Sequence, residues 1–396
     1  DMDYEVLYDV FLPQAPTASQ KAQGLSAEAL HVLESMAIDT IRHTGDIGRY
    51  PPGILSCSDN YLNKYVPLVY LTVRFSLGSN IYEVKTDYNG YFSFKDPIFD
   101  NAVLSFVFDG LDGWKITSGG SSATIIESRG TYKSLRGSSI RDFDIQVNSS
   151  SVPDPRYEIY RAVGFYFYGL RTNYGSSSLL HLPEIDRFVD STTGGMRIEA
   201  HTAAIQEGEG VFKSFLGNAH YIKIGNVNRN NHPRLMGTIL HEMGHYTQFW
   251  IHRGYNHYND IPKLLKESWA SYAGWYMGEL YYSVQRLLPI PFEDDITRQA
   301  RQSWHPAMAN PYYYYSPLFV DLRDNYNQCE CLNNSRYAND AIKNVPYSLI
   351  NKLARESSWT GVKKVLREHI SSGYYTETQL NDFLVQWDKY FAANPL

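Results

Sequence analysis

Apolar positions along the chain change period several times, and each change predicts a different kind of element. Ser26-Ala-Glu-Ala precedes apolar residues at Leu30, Leu33, Ala37, Ile38 and Ile41, the spacing of one helical face, with Ser26 as N-cap. Pro13, Pro16 and Gly24 make the preceding segment an extended lead-in, and Tyr50-Pro-Pro-Gly53 marks a break after the helix. From about residue 65 the period becomes two. Val69, Leu71, Val73 and Phe75 alternate with Tyr70, Thr72 and Arg74, Ile81-Tyr-Glu-Val-Lys85 follows, and an Asn89-Gly90 turn precedes a further alternating run ending at Phe94. Residues 103–108, 123–127 and 143–147 are further strands by the same criterion. Short strands at this spacing predict an all-β sandwich over 56–150, preceded by an extension, 1–55, that holds the one helix.

Asn148-Ser-Ser-Ser-Val-Pro-Asp-Pro155 reads as a linker, because its polar residues and prolines suit neither a helix nor a central strand. Beyond it Ile159, Val163, Phe167 and Leu170 have helical spacing, and 196–200 and 221–224 are short strands. His232-Pro-Arg then leads into a helix that continues past residue 245. Helices are predicted at 261–281, 316–325, 345–356, 359–369 and 377–393. Strands first and helices afterwards predict an α+β, mainly helical domain over 151–396, so the fold class is multidomain.

Composition narrows the function classes. At 396 residues the chain exceeds what one core usually serves, and 43% hydrophobic with 20% charged residues is ordinary for a globular protein. No apolar run is long enough to cross a bilayer. A net charge of -6 with scattered Lys and Arg argues against nucleic-acid binding. Cys57, Cys329 and Cys331 are too few for a disulfide framework, and only Glu330 separates the last two, so no CxxC metal site is available. The first residues show no leader pattern. With 33 Tyr against 18 Phe, the aromatic excess suits either a surface that meets peptides or sugars or the packing of half-buried sheet faces.

The chemistry concentrates in His241-Glu-Met-Gly-His245. On a helix, positions i and i+4 share a face, so His241 and His245 can present two imidazoles to one metal ion. Glu242 points about 100° around the helix, outside the ligand set and next to a metal-bound water. Zinc lowers the pKa of such a water to about 7, and Glu242 would accept its proton while the metal polarises a peptide carbonyl. Met236, Ile239, Leu240, Met243 and Phe249 can bury one side of this helix, and Gly244 leaves space beside the ligands. A third ligand is needed. Glu267 is the first candidate, because Ala270, Ser271, Ala273 and Gly274 beside it allow a second helix to approach closely; His252, His257 and Asp260 compete with it.

Two resemblances add to this reading. Thr86-Asp-Tyr-Asn-Gly-Tyr-Phe-Ser-Phe94 resembles the hairpin of carboxypeptidase regulatory-like, transthyretin-like modules, which implies a scaffolding or docking role for 56–150. The HExxH motif, a loop and then Glu267-Ser-Trp-Ala270 resemble the gluzincin peptidases, the thermolysin-like group. The metzincin pattern fails, since Gln248 and Ile251 stand where it requires Gly and His. The gluzincin resemblance implies a zincin-type catalytic domain holding one Zn2+ per chain on His241, His245 and Glu267, with Glu242 as general base. It also implies a late donor to the oxyanion, for which Tyr315 is the first choice and Tyr314 the second. Asn218 and Ala219, before the strand at 221–224, would belong to an edge strand that binds extended substrate; His220 reads more simply as structural. Asp340 and Glu293-Asp-Asp295 read as solvated charges.

The expected function is hydrolysis of peptide bonds in proteins or peptides by a monomeric chain. Two alternatives stay open: a glycopeptidase acting on glycosylated proteins, and a non-catalytic surface binding protein that retains a peptidase fold. The family habit implies a secreted, periplasmic or cell-surface bacterial protein.

Overall fold

The computed structural model describes residues 50–59, 62–87, 89–95, 98, 101–110, 114–121, 123–131, 143–147, 154–169, 196–201, 203, 210–213, 221–225, 232–252, 255–286, 318–323 and 341–393. β-sheets dominate its N-terminal part and helices its C-terminal part, a mixed α/β arrangement. The helix expected from Ser26 lies outside these residues.

The strands are β1 Tyr50–Asp59, β2 Lys64–Pro67, β3 Thr72–Leu77, β4 Asn80–Lys85, β5 Tyr91–Phe94, β6 Val103–Val107, β7 Lys115–Ser118, β8 Ile126–Thr131, β9 Phe143–Val147, β10 Arg197–Ala200, β11 Gly210–Lys213 and β12 Tyr221–Ile224. One sheet runs β2-β1-β5, with β9 parallel to β1, and a second runs β4-β3-β6-β8. Alternation makes both sheets two-faced. Val73 and Phe75 from β3, Leu104 and Phe106 from β6, and Phe92 and Phe94 from β5 are buried in a common core. The Phe75 and Phe94 rings meet edge to face with centroids 5.2 Å apart, which ties one sheet to the other.

Three sequence expectations change here. The break expected at Tyr50-Pro-Pro-Gly53 is the start of β1, and the boundary expected between 55 and 56 falls inside that strand. The prolines are tolerated because the β1–β5 register shifts between Tyr50 and Gly53, where the ladder needs no regular N–H. The Asn89-Gly90 turn does not close a hairpin: β4 pairs with β3, whereas β5 pairs with β1, so the turn carries the chain between sheets. Gly90 sits at φ +71°, and a Cβ there would lie 2.3 Å from the Leu55 carbonyl oxygen, so only glycine fits. Asp87 Oδ1 fixes the turn by accepting from the Asn89 and Tyr91 N–H groups at 2.8 and 2.9 Å. Finally, Pro155 is not linker. Pro155–Gly164 is a helix, α1, whose N-cap Asp154 accepts from the Arg156 N–H, and proline at its start needs no hydrogen-bond acceptor.

A third sheet, ordered β11-β12-β10-β7, positions the candidate site. β7, β10 and β12 are parallel and β11 is antiparallel to β12. This sheet spans the boundary drawn at 150, since β7 precedes it and the other strands follow. The remaining helices are α2 His232–Ile251, α3 Tyr255–Asn259, α4 Lys263–Arg286, α5 Leu318–Asp321, α6 Tyr347–Leu353, α7 Trp359–Glu368 and α8 Glu377–Ala393, and a π-helical turn, Phe165–Gly169, continues α1. Among the described residues no helix is long and apolar enough to cross a membrane.

Candidate metal centre

Helix α2 carries the motif in the interior. Met236, Ile239, Leu240, Met243 and Phe249, the residues that the helical period assigns to one buried face, are all at most 1% exposed. Each such side chain contributes roughly 1.5–3 kcal/mol by leaving water. Helix α4 crosses close to α2. A Cβ on Gly244 would come within 2.9 Å of the Ala270 Cα and the Ala273 Cβ, and one on Gly274 within 2.9 Å of the Gly237 carbonyl oxygen. Trp269, fully buried, pins the crossing by donating its indole N–H to the Gly244 carbonyl at 3.0 Å. The small residues noted in the sequence are therefore the contact surface. Gly274→Ala is expected to push the helices apart, lowering stability by about 1–3 kcal/mol and weakening metal binding in the same variant. Chemical denaturation and a zinc titration of that variant check both effects.

This crossing brings three donors together. Glu267 Oε2 lies 3.3 Å from His241 Nε2 and 3.4 Å from His245 Nε2. A tetrahedral ion with bonds of about 2.1 Å separates its ligands by about 3.4 Å; the two carboxylate–imidazole spacings match this, and all three donor atoms lie within 4.8 Å of one another. Glu267 Oε2 is buried and makes no hydrogen bond, an orphaned atom that a cation would satisfy. The two imidazoles stand nearly perpendicular, with centroids 4.8 Å apart. Two imidazoles and one carboxylate are also a donor set of the kind that leaves a fourth zinc position open.

The two carboxylates of the site are pushed in opposite directions. Burial alone would raise Glu267, but His245 and His241 beside it hold it well below the usual carboxylate range. Burial pushes Glu242 up to about 7; His241 opposes the rise, Glu267 adds to it, and a hydrogen bond from the Phe212 backbone opposes it. One carboxylate is thus kept anionic, and the other is placed where it can exchange a proton near neutrality.

Strand β11 lies directly over Glu242. A Cβ on Gly210 would come within 3.0 Å of Glu242 Cγ and 2.9 Å of Thr238 Cγ2, so glycine permits the approach. This corrects the edge-strand expectation. The strand at 221–224, β12, runs between β10 and β11, and among the described residues Gly210–Lys213 is the edge strand on that side of the sheet. The period-two signal in Gly-Val-Phe-Lys is too short to read from sequence. Asn218, Ala219, His220, Tyr314 and Tyr315 lie outside the described residues, as do Asp340 and the acidic cluster at 293–295.

The competing third ligands are placed elsewhere. His252 bonds through Nε2 to the Ala354 carbonyl at 3.1 Å, and His257 and Asp260 are exposed. Sequence reasoning missed Tyr258 of α3, whose phenol lies 3.1 Å from His245 Nδ1. It also missed a second buried group, Asp59, Glu158 and His232. There the Arg161 guanidinium already supplies the positive charge, with Nη2 2.7 Å from Asp59 Oδ2 and 2.5 Å from Glu158 Oε2. That pairing ties β1 to α1.

Compared with protein-family models, curated proteins and solved structures, the chain matches none.

Proposed function

We propose that this chain is a zinc-dependent peptidase of the gluzincin kind, in which the two N-terminal sheets, β2-β1-β5 with β9 and β4-β3-β6-β8, form a transthyretin-like β-sandwich that scaffolds or docks the catalytic part. One observation carries the reading: Glu267 Oε2 stands 3.3 and 3.4 Å from the Nε2 atoms of His241 and His245, beside the buried carboxyl of Glu242.

Zinc, when bound by His241, His245 and Glu267, supplies a Lewis acid that acidifies water and polarises a carbonyl. The rest belongs to the chain. Glu267, held anionic, offsets part of the metal's charge. The Glu242 carboxylate takes a proton from the attacking water and returns one to the leaving amine. The Phe212 N–H orients that carboxylate. The outer edge of β11 offers main-chain N–H and C=O groups to an extended substrate, laying it across Glu242. Glu242 is 6% exposed and lies under β11, and exclusion of water there strengthens the electrostatic terms.

The test is a zinc-loaded chain incubated with a broad peptide library and with proteins in glycosylated and deglycosylated form. Cleavage that a chelator abolishes and zinc restores is the expected result. Cleavage of only the glycosylated form would narrow the activity to a glycopeptidase. No hydrolysis at full zinc occupancy would replace the peptidase reading with that of a binding protein.

A further inference from the structure

Tyr258 makes a contact with the metal centre that no ligand motif announces. It lies on the short helix α3, between the motif helix and the helix that carries Glu267, and it is 7% exposed. Its hydroxyl is 3.1 Å from His245 Nδ1, the ring nitrogen opposite the one that faces Glu267. Its ring packs edge-on against Phe249 of α2, at 5.6 Å and 66°, and against Phe212 of β11, at 6.1 Å and 88°. Lys266, the neighbour of Glu267, places its ammonium 5.0 Å from the centre of the same ring. Packing on three sides therefore aims the phenol.

The consequence follows from the inventory of a neutral imidazole, which has one N–H and one lone pair. If Nε2 of His245 gives its lone pair to a cation shared with Glu267, the ring proton must sit on Nδ1. A hydroxyl oxygen at hydrogen-bond distance then accepts it. We infer that Tyr258 is a positioning residue for the metal centre: its phenol oxygen accepts the Nδ1–H of an Nε2-ligating His245 and fixes the plane of the ring. This rests on the zinc reading of the site. The phenol performs the part that a carboxylate or backbone carbonyl commonly plays behind a zinc-bound histidine. A neutral acceptor leaves the net charge of the centre unchanged.

The test compares zinc affinity in the full-length wild-type chain and in Tyr258→Phe, by competition with a chromophoric chelator. Phenylalanine keeps the contacts to Phe212 and Phe249 and removes only the oxygen. The expected loss is about 10–100-fold in affinity, with an altered absorption spectrum in the cobalt-substituted protein and an unchanged melting temperature in the metal-free one. A merely structural role would move the melting temperature and leave the affinity. A loss below about threefold, with an unchanged cobalt spectrum, overturns the inference while the zinc reading stands. A wild-type chain that takes up no zinc overturns both. Should Tyr258→Phe fail to fold, the zinc-loaded wild-type chain decides: a His245 Nδ1 proton protected from solvent exchange in the nitrogen-15 NMR spectrum is the expected result, and an unprotected one overturns the proposal.

Discussion

Glu242→Gln is expected to reduce peptide hydrolysis by about 10²–10⁴-fold while leaving the bound zinc in place. The substitution keeps the volume of a fully packed side chain, so the close approach of Gly210 to Glu242 survives. It also keeps an oxygen that can accept from the Phe212 backbone. What disappears is the capacity to take up a proton. Glutamate at this position is pushed up to about 7 by burial, and this makes it able to accept and return a proton near neutral pH. The effect should fall on kcat, because Glu242 is not among the three donors that face one another. Steady-state kinetics on a peptide found in the library screen, together with metal analysis of the same preparation, check it. A variant that keeps more than about a tenth of the activity would show that the base is elsewhere.

Glu267→Ala acts on the other half of the site and is expected to abolish tight zinc binding. Glu267 contributes the oxygen that lies within 3.4 Å of both imidazole nitrogens, and its negative charge is maintained by them. Without it two imidazole nitrogens remain, which is one ligand short of a zinc site. The loss should exceed the roughly 10–100-fold that follows removal of an outer partner. The fold itself should tolerate the change, since the Glu267 side chain is 22% exposed and the helix crossing depends on Gly244, Trp269 and Gly274. The expected signature is therefore a metal-free melting temperature close to that of wild type and loss of the stabilisation that zinc confers, which is about 2.7 kcal/mol when the free metal is at 100 times the dissociation constant. Thermal melts with and without zinc measure this directly. Normal zinc affinity in Glu267→Ala would remove that residue from the metal centre.

These two predictions rest on residues that were visible in the sequence, whereas the partners that tune them were not. His241, Glu242 and His245 belong to one helix, and the i, i+4 rule specifies their relative directions before any tertiary contact is known. The apolar set from Met236 to Phe249 follows the same period and is buried as expected. Glu267 was legible at one remove, because Ala270, Ser271, Ala273 and Gly274 are the side chains that a close helix crossing requires. Its choice over His252, His257 and Asp260 needed the fold. In the structure the first of these is bonded to a carbonyl of the C-terminal helices, and the others face solvent.

Elements whose partners are distant in sequence escaped prediction. Lys115–Ser118 is four residues long and gains its place by pairing with Arg197–Ala200, far along the chain. Gly210–Lys213 is equally short, and its position over Glu242 depends on the register with Tyr221–Ile224. Asp59, Glu158 and Arg161 are unremarkable charges in sequence, and they become a buried cluster only when β1 meets α1. Local periodicity by itself determined the motif helix, the direction of its two histidines and the smooth surface of the helix that follows. Tertiary structure alone decided which carboxylate reaches the imidazoles, which strand forms the edge above Glu242 and which hydroxyl stands behind His245. The reason is physical: helical geometry follows from neighbouring dihedral angles, whereas those three contacts exist only after loops of different length have closed and the helices have packed.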